Sequence, residues 1–156
     1  DALARTLDDL GVEELHVMAN SAGGFVGLRA AAELKAKSFL GMSIRTDLSE
    51  NSPIPVGDFF KRPELRAAAP HLMVDLKPLL RASPWPERII LYSGDGNPID
   101  RPHAEHLADL PNATVNLLPN HALHDVVSAL LIRGDLEAVL RDFVYGGAAA
   151  PGGAGP

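Results

Sequence analysis

Leu15-His16-Val17-Met18-Ala19-Asn20-Ser21-Ala22-Gly23-Gly24-Phe25 decides how the rest of the chain is read. A short apolar strand ends at Asn20, a run of small residues follows, and a helical pattern through Phe25, Val26, Leu28 and Ala32 starts at once. So sharp a strand-to-helix turn lifts its apex residue, here Ser21, above the end of a sheet. Ala19, Ala22, Gly23 and Gly24 let the backbone make the turn without collision. The competing expectation is a tight turn in which Ser21 only caps the helix that follows.

Working outward, Leu3, Leu7 and Leu10 at helical spacing, with Gly11 as a stop, predict an amphipathic helix packed beside the strand that leads to Ser21. Further strands are expected at residues 38–42, 88–92 and 113–118. Strands alternating with helices predict an α/β fold with a parallel sheet of about four strands flanked by helices, because parallel neighbours need a crossover connection. Ligands of such sheets bind at the carboxyl ends of the strands, where Ser21 would lie. Residues 1–145 form one domain in this scheme. Within it, residues 45–86 carry seven prolines and only short helical stretches, at 64–69 and 73–80, which predicts a lid-like insertion. Phe59, Phe60, Met73 and Trp85 either line an apolar cleft or pack that insertion onto the sheet. A last helix is expected from Asp125 to near Val144, with a break at Gly134. Residues 146–156, all Gly, Ala and Pro, have nothing to bury and are expected to be a disordered tail.

The 156 residues, 46% of them hydrophobic, suffice for one core. No cysteine is present, which excludes disulfides, thiolate metal sites and a cysteine nucleophile. The net charge of −6 argues against nucleic acid as a partner, since that affinity comes from clustered Lys and Arg. No apolar run approaches the ~18 residues of a membrane helix and no signal segment opens the chain, so no membrane partner and a cytoplasmic location are expected. His103 and His106 are three apart with no evident third ligand, which gives no metal site. They read as part of a surface helix, and His16 as part of a strand.

Past the strand at 88–92 comes Gly94-Asp95-Gly96-Asn97-Pro98-Ile99-Asp100, and past the strand at 113–118 comes a loop with His121 and His124. The order serine, acid, histidine, each just beyond a strand, resembles the serine hydrolases of the α/β-hydrolase fold over residues 1–144. The resemblance implies Ser21 as nucleophile and His124, before the helical stretch Val126 to Leu130, as base in preference to His121. It implies the backbone N–H of Ala22 as an oxyanion donor, and no cofactor. The acid falls on Asp100, with Asp95 on the same loop as the competitor. Two departures stand out. Ala19 replaces the first glycine of Gly-x-Ser-x-Gly, and Asn97 stands where the family commonly has its aspartate. Asp100 capping a helix that begins near Pro102 is the structural alternative.

What the resemblance implies is hydrolysis of an ester or other acyl bond through an acyl-enzyme, on a small-molecule or glycan ester. The alternative, motivated by Asn97, is a catalytically degenerate domain that binds a ligand or partner protein. Ser21 to Phe25, Asn97 to Asp100 and His103 to Leu107 together look like bacterial hydrolase-like proteins found with surface-glycan or secretion systems. Family members have about four strands before the turn that carries the serine, and take their second oxyanion donor from an earlier loop. The resemblance thus covers the C-terminal half of the fold, and the apolar strand before Ser21 becomes an open edge. Such an edge is expected to pair with a missing N-terminal segment or with another copy of the chain.

Overall fold

The computed structural model describes residues 2–146; the expected tail at 146–156 lies, beyond its first residue, outside them. Four strands, β1 (His16–Asn20), β2 (Ser38–Met42), β3 (Arg88–Gly94) and β4 (Ala113–Leu118), form one sheet in the order β1-β2-β3-β4. All three pairings are parallel, with Ala19 beside Gly41, Gly41 beside Leu91 and Leu91 beside Val115. Every residue of β2 is buried, as an interior strand covered on both faces requires.

Side chains alternate between the two faces of the sheet. Phe39, Ile89 and Leu91 enter one core with Phe25 and Leu28 of α2 (Gly23–Glu33), and with Leu107 just beyond α5 (Asp100–Glu105). Leu40, Met42 and Ile90 enter the other, under Val126 and Leu130 of α6 (Val126–Arg133) and Val139 and Phe143 of α7 (Leu136–Tyr145). The expected last helix is thus two, broken where Gly134 takes a left-handed conformation with φ of +78°. At the amino ends of the strands, Ser38 Oγ donates to the Phe143 carbonyl (3.3 Å) and is 2.7 Å from His16 Nδ1. With its proton given to that carbonyl, the Ser38 hydroxyl accepts from His16, so this serine–histidine pair ties α7 to the sheet.

The helix α1 (Ala2–Asp9) has no buried residue and Leu3 and Leu10 are exposed, so it enters neither core, although Ala4 and Leu7 line one cavity with Leu15 and Leu34. One expectation about packing is corrected. His103 belongs to no surface helix face: it is 0% exposed. The insertion runs through a 3-10 turn, α3 (Pro63–Ala68), a second 3-10 turn and α4 (Lys77–Ala82). Residues 73–76 are not helical because Asp75 bridges Asp47, and the Asp75 carboxylate accepts the Lys77 N–H at 2.8 Å to start α4 instead. Phe60, Leu72 and Met73 pack against the first core, the second of the two roles expected for such residues, while Phe59 stays exposed.

His103 fastens this insertion to the domain. Its Nδ1 accepts the Thr46 N–H (3.2 Å), and its Nε2, facing the Pro55 carbonyl at 3.1 Å, carries the proton. Burial above all, and the charge of Arg45, push its pKa down from 6.5 to about 4. The unfolded chain therefore takes up this proton first, and stability is full above about pH 6.5 and falls as the pH drops towards 4. The loss from this group is on the order of 3 kcal/mol. Urea unfolding between pH 7 and 4.5 should show that fall in the parent chain and a flatter profile in His103→Gln; parallel profiles would remove His103 as its source.

Candidate active site

β1 ends at Asn20, and the backbone turns at once through Ser21, whose φ of +55° is rare for a residue with a side chain. Two bonds hold it there. The Ser21 N–H donates to the Met42 carbonyl (3.0 Å), and the Gly24 N–H donates to the Ser21 carbonyl (3.0 Å). A Cβ on Gly24 would sit 2.1 Å from Ile44 Cγ2 and 2.3 Å from Ile44 Cβ, so the start of α2 lies against the end of β2 in a way only glycine permits. No side chain caps α2. Ser21 does not play the capping role: its hydroxyl points across the strand ends.

That hydroxyl is 2.6 Å from His124 Nε2, across 103 positions of sequence. His124 Nδ1 is 2.6 Å from Asp100 Oδ2. A carboxylate only accepts, so Nδ1 carries the imidazole proton, and Nε2 is left to accept from the Ser21 hydroxyl. Asp100 is 1% exposed, and its other oxygen accepts from Arg45 Nη1 at 2.6 Å. Ser21 is half-buried and the His124 side chain is 45% exposed, so the end that would meet a ligand is open while the acid end is closed.

Asp100 is the first residue of α5, but its carboxylate caps nothing. Asn97 does the local work: its Oδ1 accepts the N–H groups of Ile99 (3.0 Å) and Asp100 (2.8 Å), a tight turn that presents Asp100 to His124. Asp95, the competing acid, faces elsewhere. Its two oxygens accept the N–H groups of Asn120 and His121, each at 3.1 Å, and these bonds hold its carboxyl below the usual range. Asp95 therefore pins the loop that delivers His124. Gly94 admits that loop, since a Cβ there would lie 2.1 Å from the His121 carbonyl oxygen. His121 itself turns away, with Nε2 3.2 Å from Asp125 Oδ1.

Sequence reasoning missed Arg45 and the turn-forming part of Asn97. An arginine three residues after a fully buried strand was the available sign of a buried partner. Among the described residues, the group able to offer three metal ligands is Asp47, Asp75 and His106, whose ligand atoms lie within 4.8 Å of one another. These are already engaged: Asp47 accepts the Ser49 N–H at 2.8 Å, and Asp75 faces His106 Nε2 at 2.9 Å. His103 turns towards Pro55 and His106 towards Asp75, so the two share no ligand position.

No protein-family model and no curated protein sequence matches the chain. Solved structures do. MenH from S. aureus is 16% identical with a TM-score of 0.64, over 92% of this chain and 73% of that one. A thermophilic esterase from Thermogutta terrifontis, solved with butyrate bound, is 18% identical with a TM-score of 0.58, over 97% of this chain and 64% of that one. A hydrolase from Pseudomonas aeruginosa PA01 is 15% identical with a TM-score of 0.56, over 92% and 69%. The parallel sheet, the turn at the end of β1 and these three likenesses together show that the chain has the α/β-hydrolase fold.

Proposed function

We propose that the chain carries the catalytic residues of a serine hydrolase that cleaves an ester or related acyl bond. The observation that carries this is the hydrogen-bonded line Ser21, His124, Asp100, with 2.6 Å at each link. A serine hydroxyl alone is a weak nucleophile and needs a neighbouring base oriented by a third group. In the proposed reaction Ser21 Oγ attacks the carbonyl carbon as His124 Nε2 takes its proton. The negative oxygen so formed is held by the Ala22 N–H at the start of α2, where the helix dipole is positive. Collapse expels the alcohol, which takes the proton from Nε2, and leaves the acyl group on Ser21. Water then repeats the sequence and releases the acid. That a solved neighbour is an esterase with butyrate bound agrees with a small acyl group as substrate.

A second reading rests on a separate observation. Among the described residues β1 pairs on one side only, Met18 is 56% exposed, and an apolar cavity of about 180 Å³ lies between Met18, Met42, Val127, Leu136 and Leu140. The β1 segment carries no acidic or basic side chain except His16, so two copies could pair along it without opposing like charges, although each chain has a net charge of −6. We propose a second copy of the chain as the occupant. Sedimentation should then show a dimer that Met18→Lys dissociates, and a monomeric parent chain would contradict it.

For the hydrolase reading, a fluorophosphonate probe should label the parent chain, and Ser21→Ala should abolish labelling. His124→Ala should slow labelling by ~10³-fold or more, and Asp100→Asn by up to ~10⁴-fold, since an amide orients the imidazole but does not stabilise its charge. Gly94→Ala, which pushes the histidine loop from its place, should cost ~10²-fold with Ser21 untouched. Labelling that survives Ser21→Ala would overturn the assignment.

A further inference from the structure

Arg45 is 9% exposed, and its guanidinium meets the one oxygen of Asp100 that His124 does not use. A carboxylate with both oxygens spoken for cannot swing about its bond to the chain. From the geometry of this ion pair we propose that Arg45 is a positioning residue for the reaction, fixing Asp100 for His124 and balancing its charge; this rests on the reading of Ser21 as nucleophile.

The charge effect follows from counting. With Arg45 in place, the Asp100–His124–Arg45 group is neutral before Ser21 gives up its proton and carries +1 afterwards. Without the guanidinium it would go from −1 to neutral, and a buried anion takes a proton more readily than a neutral group does. Arg45 therefore offsets the Asp100 charge that would otherwise hold the proton on the imidazole, which eases its return to the leaving group.

No other ion pair competes for these partners among the contacts of the described residues. His103, one turn along α5, feels the charge of Arg45 and is held neutral by its own burial. Asp47 acts on His103 and is held by Ser49, His106 faces Asp75, and Asp125 faces His121. Asp95 is bound to the backbone of the histidine loop, and Arg101 to Glu105 and the Asp95 carbonyl. Arg45 Nε is buried without a hydrogen-bond partner, so the Asp100 bond is what the guanidinium gains in return for its burial.

Two substitutions grade the pair: Arg45→Lys keeps the positive charge on a long side chain, and Arg45→Gln keeps a polar side chain but removes the charge. The rate of fluorophosphonate labelling is followed against pH, with folding verified by circular dichroism. The acid limb of the profile should move up by roughly one pH unit or more in Arg45→Gln and stay near the parent's in Arg45→Lys. Limbs that coincide in all three proteins, or that move equally in both variants, would overturn the proposal. The far-downfield proton resonance of the His124 Nδ1–H, identified by its loss in His124→Gln, gives a readout that needs no catalysis. It should persist in Arg45→Lys and be displaced or lost in Arg45→Gln, and an unchanged resonance in Arg45→Gln would also overturn the proposal. A parent chain that never labels yet shows this resonance pattern would refute Ser21 as nucleophile and leave the role of Arg45 at Asp100 standing.

Discussion

A carboxylate that is 1% exposed must be paired, and the pairing of Asp100 organises everything around it. One oxygen takes Arg45, from the segment that leaves β2; the other takes His124, from the loop between β4 and α6. The backbone beneath it is set by Asn97 at the end of β3. Three separate stretches of chain are thus drawn to one anion, and His124 is left with a single free nitrogen, which faces Ser21. Removing a partner from such a group leaves an uncompensated buried charge, typically several kcal/mol.

The sheet makes that meeting achievable. Parallel order puts the carboxyl ends of β1, β2, β3 and β4 on one rim, so the residues following each strand share a surface. Asn20, Met42 and Tyr92 are register partners, and Ser21, Ser43 and Ser93 come next on their strands. Only Ser21 among these three is near solvent; Ser43 and Ser93 are buried. Ser43 shares the left-handed backbone, with φ of +51°, so what separates Ser21 is its place after β1, the outer strand of the sheet formed by the described residues.

Much of this was legible in the sequence. The strand at 38–42 shows as a short apolar run and is found at Ser38–Met42. The turn at Ser21 shows in its small residues, and the serine, acid, histidine order shows in the spacing. What was not legible depends on contacts between distant stretches. Asp100 and Asp95 sit on one loop, and only the direction of each carboxylate separates a partner of His124 from a clasp on backbone N–H groups. His103 lies in a polar-looking stretch, and its burial depends on Thr46 and Pro55, about 50 residues earlier. Asn97 looks like a lost acid until its hydrogen bonds to the Asp100 turn are seen. The amphipathic pattern of α1 is genuine, yet local periodicity does not say whether a neighbour exists for the apolar face to cover.

The central claim is that Ser21, activated through His124, becomes acylated. Its most direct test is the mass of the intact protein, and of its peptides, during incubation with a short-chain p-nitrophenyl ester. The prediction is a transient adduct of one acyl group, found on the peptide that contains Ser21, which decays as the free acid is released. An unmodified protein, or an acyl group located on any other residue, would contradict it.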